Sequence, residues 1–419
     1  MLKRIKSMSK IKIKNFGPIQ EGYNENNGWI DISKVTVFIG NQGSGKSTVA
    51  KLISTFTWIE KALVRGDYNK KWFEGRNKLR NVFLNYHRLE NYIAYYDGLF
   101  DNTVIEYIGD AYKIKYQKGA LVINEASNGN YPLPQIMYVP AERNFISYVK
   151  SPKELKLSSD SLKEFLTEFD NAKNEIKGFV ALPINEVNIE YDKRNDNLNI
   201  KGNNYNVRLH EASSGFQSLI PLYLVSKYLS NSVREQSENK EPMSIEEMNR
   251  FKKGVQEIWS NDSLTDEQKR IAISVLSLKF NKTAFINIVE EPEQNLFPKS
   301  QWQILNSLLE FNNLTEGNKL VITTHSPYII NYLSIAIQAG YLNEKIKSEE
   351  LLDKLNEIVP HTSIINSGDV SVYELNDKNG TISKLKDYEG IPSDKNYLNE
   401  SLAEGNQLFD KLLEIEQEL

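Results

Sequence analysis

Val35-Thr36-Val37-Phe38-Ile39-Gly40-Asn41-Gln42-Gly43-Ser44-Gly45-Lys46-Ser47-Thr48 passes from an apolar, β-branched run into glycines and then into a helix-compatible stretch. The order predicts a buried strand, a tight loop and a helix start. Glycines let backbone N–H groups converge on phosphate oxygens, and the helix N-terminus adds its positive dipole end. Lys46 can reach the β- and γ-phosphates, and the Ser47 hydroxyl is a ligand for Mg²⁺. Gly40 to Thr48 therefore form a complete G-x-x-x-x-G-K-S phosphate cradle in the strand-loop-helix context that gives the pattern its meaning.

The rest of the chain bounds what such a cradle serves. With 419 residues and 40% hydrophobic content, the chain can build one large α/β domain with insertions. It has no cysteine, which excludes disulfides, thiolate metal sites and cysteine nucleophiles. Leu333 to Leu342 is too short and too interrupted to span a bilayer, and no charged-then-apolar leader opens the chain, so a soluble, cytoplasmic protein is expected. A net charge of −4 makes no global case for nucleic acid, so such binding would need a local patch.

One candidate patch lies at 61–90, where eight Lys/Arg face three acids, interleaved with Tyr68, Trp72, Phe73, Phe83 and Tyr86. Two readings stand. The segment either grips a nucleic-acid backbone and stacks bases, or is a helical hairpin with inward aromatics and solvated charges. Before the loop, Ser9-Lys10-Ile11-Lys12-Ile13-Lys14-Asn15 and Trp29-Ile30-Asp31-Ile32 read as an antiparallel strand pair. Short alternating runs from Thr103 to Ile123 read as a meander, and Gln135 to Val139 as a buried strand ending in Glu142, Arg143 and Asn144.

Downstream, Ser213-Ser214-Gly215 before an apolar helix is a second anion-binding device, weak when taken alone. Ala284 to Val289 is a buried strand that delivers Glu290-Glu291-Pro292-Glu293. Consecutive acids there resemble the Walker B arrangement, in which the first carboxylate holds Mg²⁺ and the second polarises the attacking water. Leu320 to Thr324 is a third buried strand, and it ends in His325, placed to contact a γ-phosphate and that water. The polar stretch 231–280 reads as a charged helical arm or lid, with capping boxes at Ser244–Glu247 and Thr265–Gln268. A C-terminal helix is expected from about Asn399 to Ile415.

P-loop, Ser-Ser-Gly before a helix, paired acids on a strand and then strand-His, in that order, resemble the ATP-binding-cassette superfamily. Ile13-Lys14-Asn15-Phe16-Gly17-Pro18, Tyr138-Val139-Pro140-Ala141-Glu142-Arg143, Ala212 to Ser218, Glu290 to Glu293 and Thr323-Thr324-His325-Ser326-Pro327 look more closely like its RecF/SMC-related branch. Within that branch they resemble the ATPase domains of overcoming-lysogenisation-defect nucleases and of bacterial anti-phage defence operons. The resemblance implies an α/β ABC-ATPase head: a P-loop core sheet, an antiparallel β-subdomain, a helical lobe and helical insertions. Its parts would be 1–57 and 95–150 (β-subdomain and P-loop), 58–94 (basic insertion), 151–230 (helical lobe), 231–280 (arm) and 281–419 (Walker B, histidine motif and the remainder of the lobe).

For the site, the resemblance implies ATP held by Gly40, Asn41, Gln42, Gly43, Ser44, Gly45, Lys46, Ser47 and Thr48, and Mg²⁺ held by Ser47 and Glu290. Arg143, by its place at a strand end, is either a further nucleotide contact or a structural ion-pair residue. Glu291 would be the catalytic base, Lys46 would act on the phosphates and His325 would sense the γ-phosphate. Ser214, Gly215 and Gln217 would reach the ATP of a second subunit, so hydrolysis would need a homodimer. Glu290 stands where aspartate is usual, which alters reach to the metal, and the usual glutamine after the Gln135 to Val139 strand is missing. The tail past Pro327 has no Asp-x-Asp, so any nuclease or toxin effector would be a separate chain. A RecF-like DNA clamp is the alternative; a transporter ATPase fits less well.

Overall fold

The computed structural model describes residues 9–417 except 69, 94, 97–99, 127–130, 132, 150–151, 153–156, 158, 239–252, 262, 265–267, 269–271 and 273–282. Most of the expected 231–280 arm, including both capping boxes, falls wholly or partly outside the described residues. Strands β1 (Ser9–Lys14), β2 (Gly22–Tyr23), β3 (Ile30–Ile32) and β4 (Val35–Gly40) precede helix α1 (Lys46–Arg65) and the short α2 (Lys70–Phe73). Then come β5 (Tyr95–Tyr96), β6 (Phe100–Asp101), β7 (Val104–Ile108), β8 (Tyr112–Gln117), β9 (Ala120–Glu125) and β10 (Pro134–Val139). Helices α3 (Asn144–Tyr148) and α4 (Asp160–Asn174) lead to strands β11 (Phe179–Ala181), β12 (Asn188–Asp192), β13 (Asn197–Lys201) and β14 (Asn206–Arg208), and then to α5 (Ser214–Glu238). The last strands are β15 (Ala284–Glu290), β16 (Lys319–Thr323), β17 (Val370–Leu375), β18 (Thr381–Lys384), β19 (Asp387–Tyr388) and β20 (Ile391–Pro392).

The central sheet has the order β10-β15-β16-β4-β17-β18-β2. Its first five strands run parallel, and β18 turns back antiparallel to β17. A parallel sheet must be covered on both faces, and the side-chain alternation of β4 shows how. Val35, Val37 and Ile39 enter one core, shared with α5 and the helices Pro298–Asn313 and Pro327–Lys345. Phe38 enters the other, shared with Val49, Leu52, Ile53 and Phe56 of α1. Strands β15 and β16 split in the same way, with Val289 and Ile322 on the first side and Ile288 and Val321 on the second. Burying each such side chain contributes about 1.5–3 kcal/mol, so the sheet and its loop ends are rigidly seated.

Helix α1 is roofed by a second, antiparallel sheet of order β3-β1-β7-β8-β9, whose Ile11, Ile13, Ile105 and Tyr107 join the same core. The expected antiparallel pair and meander thus belong to one layer. A third sheet, β11-β12-β13-β14, packs with α4 and α5 into a lobe on the opposite side. Two boundaries differ from the sequence reading. Helix α1 continues unbroken to Arg65, because its apolar face persists through Ile59, Ala62 and Leu63, so the basic segment starts inside it. Within the lobe, α5 runs past 230 to Glu238.

In the 61–90 segment the aromatics turn inward. Phe73 and Phe83 are buried and stacked on each other, and Tyr68 lies flat on Trp72 with ring centroids 3.7 Å apart. These rings are used in packing, which favours the hairpin reading over a base-stacking surface. The C-terminal helix Tyr397–Gln417 buries Leu398 and leaves Leu402, Leu408, Phe409 and Leu412 exposed.

Glu60 ties α1 to the roofing sheet. Its carboxylate accepts hydrogen bonds from the Tyr107 hydroxyl and the Ala111 and Tyr112 N–H groups, and burial pushes its pKa up to about 7. With the folded pKa above the unfolded one, this group favours folding below pH 4.5 and the contribution is lost as pH rises towards 7. Glu60→Gln should therefore flatten the stability profile. Relative to the variant, the wild type should lose on the order of 2–3 kcal/mol between pH 4 and 8 in urea unfolding. Parallel profiles for the two proteins would show that Glu60 titrates normally.

Candidate active site

Strands β4, β15 and β16 deliver their loops to one end of the sheet. Gly40 leaves β4 at φ 139°, and a Cβ there would sit 2.3 Å from the Leu375 carbonyl oxygen of β17, so only glycine fits. Gly45 caps α1 in the left-handed region at φ 103°, where an added Cβ would press against Ile19 and Pro18. The Phe16-Gly17-Pro18 turn thus backs the phosphate loop. Asn41 is held from the far end of the chain, its Nδ2 donating to Asp377 at 2.9 Å.

Lys46 Nζ donates to the carbonyls of Gly40 (2.8 Å) and Asn41 (2.7 Å) and lies 3.4 Å from His325 Nδ1. His325 Nε2 is 3.5 Å from Glu291 Oε1. Lys46, His325 and Glu291 therefore form a continuous row across the ends of three strands. The contact with His325 holds the Glu291 carboxyl below its ordinary pKa, keeping it ionised at neutral pH. Glu291 sits at φ 44°, a strained conformation for a residue with a side chain, and its N–H is fixed by the Thr323 carbonyl at 2.8 Å.

Glu290 is buried behind it. One carboxylate oxygen accepts the Ala141 N–H at 3.2 Å, while Oε1 is buried with no hydrogen-bond partner. An orphaned carboxylate oxygen on the strand end beside Glu291 fits a role in holding Mg²⁺, together with the partly exposed Ser47 at the start of α1. Among the described residues no cluster of three or more His, Cys, Asp or Glu could hold a metal, so phosphate oxygens and water would have to complete the coordination.

Glu293, whose role the sequence left unstated, proves to be a positioning residue. Its Oε1 accepts both the Thr324 hydroxyl (2.8 Å) and the His325 N–H (2.7 Å), fixing the histidine-bearing turn. Burial pushes its carboxyl up. Asp377 was also missed, since nothing near it in sequence marks its partner Asn41.

Two expected nucleotide contacts are corrected. Arg143 is fully buried, and its guanidinium donates to the carbonyls of Ser218 (2.9 Å), Pro140 (3.2 Å), Glu290 (2.7 Å) and Glu291 (2.6 Å). It clamps the paired acids to the start of α5 and has no free face for a ligand. Gln217 is likewise turned inward, its Nε2 donating to the carbonyls of Leu209 (3.4 Å) and His210 (3.2 Å). Ser214, at the first turn of α5, is exposed, and Gly215 is partly so. A Cβ on Gly215 would lie 2.9 Å from the Asn295 carbonyl oxygen, so the loop following the paired acids packs directly beneath this turn. Glu142 and Asn144 do not enter the row; Glu142 is exposed and pairs with Arg88 at 3.0 Å.

Burial pulls the Lys46 pKa down to about 8, against the opposing pull of Glu291, Glu293, Asp377 and Glu290. Only protonated Lys46 attracts phosphate. ATP affinity should therefore hold from pH 6 to 7.5 and fall by up to about tenfold per pH unit above 8 in equilibrium titrations. A flat profile to pH 10 would show that Lys46 keeps its proton without nucleotide.

Sheet, phosphate loop, paired acids and strand-end histidine in one site define a P-loop ATPase whose motifs follow the ABC-type order. Residues 268–330 match the AAA ATPase domain family. No curated protein matches the chain. Among solved structures, it is similar to the SMC head domain from Thermotoga maritima, with 10% identity and a TM-score of 0.35 over 91% of this chain and 99% of that one. It is also similar to an ABC-transporter ATP-binding cassette in its ADP conformation, with 12% identity and a TM-score of 0.31 over 92% and 93% of the two chains. A third similar structure is a dimeric ATP-binding cassette in a post-hydrolysis state with ADP and phosphate, with 12% identity and a TM-score of 0.24 over 90% and 100%. Among the described residues, no helix is long and apolar enough to cross a membrane.

Proposed function

We propose that the chain hydrolyses ATP in a composite site shared by two copies of itself. Gly40 to Thr48 of one copy hold the phosphates, and Ser214 and Gly215 of the second close over them. Glu291 takes the proton of the attacking water, and His325 holds Glu291 and contacts the γ-phosphate. Ser47 and Glu290 would hold Mg²⁺, which would neutralise phosphate charge.

The observation that carries this reading is the Lys46–His325–Glu291 row. The exposed Ser214 turn supports the second-copy part, because it presents a hydroxyl and free N–H groups outward at a helix N-terminus. Subunit complementation tests it. Lys46→Ala and Ser214→Arg proteins should each be inactive, and mixing them should restore hydrolysis, because one sound site is assembled from the two intact halves. No recovery on mixing, with both proteins folded, would mean that each chain works alone.

We further propose that ATP-driven closing and hydrolysis-driven opening make this chain the sensing or scaffold subunit of an anti-phage defence system that governs a separate effector nuclease or toxin. The support is the motif resemblance within the RecF/SMC-related branch. In the competing DNA-clamp reading the purified chain alone would retain duplex DNA with a steep salt dependence. The inward aromatics of 61–90 argue against it.

A further inference from the structure

A cavity of about 500 Å³ opens behind α1, away from the phosphate loop, and none of Gly40 to Thr48, Ser214, Glu291 or His325 lines it. Its volume lies in the range of small-ligand pockets. Three of the five tryptophans, Trp58, Trp72 and Trp259, line it. Trp72 is already stacked on Tyr68, but Trp58 and Trp259 are partly exposed, and an aromatic wall of this kind suits a planar ring system.

At its inner wall lies His87, which is 2% exposed and has no hydrogen-bond partner on either ring nitrogen. A buried imidazole left unpaired costs free energy unless something supplies its partners. Burial drives its pKa down to about 3, so at neutral pH it is uncharged, with one nitrogen donating and the other accepting. That pattern matches the edge of a heteroaromatic base or an amide rather than an anion. Asp160, Glu164 and Glu168, spaced one helical turn apart on α4, also line it, and Glu164 accepts the Tyr86 hydroxyl through one oxygen. Carboxylates accept hydrogen bonds from sugar hydroxyls. The cations at the rim, Lys61 and Arg65, both act on Asp67, which leaves the lining net acidic and unsuited to phosphate.

We infer that this cavity binds an uncharged, planar heteroaromatic ligand of nucleoside size, its base among the tryptophans with an edge on His87 and its hydroxyls towards Glu164. The site is joined to the nucleotide site: the His87 ring packs on Tyr138 with centroids 4.6 Å apart, and Tyr138 stands beside the Glu290 carboxylate.

The test is tryptophan fluorescence and calorimetric titration of the full chain, its phosphate loop saturated with ADP, against adenosine, guanosine, cytidine and uridine. At least one nucleoside should bind and shift the emission. His87→Phe, which keeps the ring and removes both nitrogens, and Glu164→Ala, on an exposed position, should each weaken that binding at least tenfold while leaving ADP binding unchanged. The inference is overturned if no nucleoside binds, if only phosphorylated forms bind, or if both variants bind as the wild type does.

Discussion

Replacing Glu291 by Gln is expected to lower the ATP hydrolysis rate by about 10²–10⁴-fold while ATP affinity changes by less than about threefold. The substitution keeps size and backbone, so the strained φ of 44° is neither relieved nor worsened. What it removes is the charge. The wild-type carboxyl is held ionised chiefly by its contact with His325, and only an ionised carboxylate can accept a proton from water. An amide in the same place can hold water but not deprotonate it. Binding should survive because the phosphate contacts lie with Lys46 and the loop N–H groups. Single-turnover hydrolysis and equilibrium nucleotide titration on the same preparation separate the two effects. Unchanged turnover would mean that another group, or water alone, accepts the proton.

The second large effect is expected at Arg143. Replacing it by Met removes donors to four carbonyls, and burial leaves those of Ser218 and Glu290 without access to water. The loss should be on the order of 3–5 kcal/mol in denaturant unfolding. Burial lowers the Arg143 pKa to about 10 against the opposing pull of Glu293, Glu291 and Glu290, and the group stays charged at neutral pH. Arg143→Lys keeps that charge without the planar fork, so it should recover only part of the stability. Activity should fall further than stability alone explains, because the clamp fixes the Glu290 and Glu291 backbone to the helix that bears Ser214. If Arg143→Met were as stable as the wild type but had lost ATP binding, the side chain would be a ligand contact after all.

These two residues also mark how much of the site could be read from sequence. Strand β4 and its loop were legible because their signal is local: β-branched residues, then glycines at fixed offsets, then Lys46-Ser47. The same holds for Glu290-Glu291 and His325, each at the end of a short apolar run. The position of β17 beside β4 was not legible, since strand neighbours in a parallel sheet are set by packing of elements far apart in the chain. Gln217 was misread, and Arg143 left open between ligand and structural roles, for a related reason. Composition places a polar residue near a site, but whether its side chain faces the ligand or the backbone depends on carbonyls contributed by other segments. Glu293 looked like one acid among three until its bonds to Thr324 and His325 gave it a task. The helix Glu349–Ile358 was missed because it is short and mostly exposed, with only Leu355 buried, so its apolar pattern is thin.

The composite site is most directly tested by the mass in solution of the Glu291→Gln protein with and without ATP and Mg²⁺. Slowed hydrolysis should trap the closed form, so ATP should shift the protein to a dimer or a multiple of it, and the added Ser214→Arg change should abolish the shift. The same mass with and without ATP, at concentrations where nucleotide is bound, would contradict a site built from two copies.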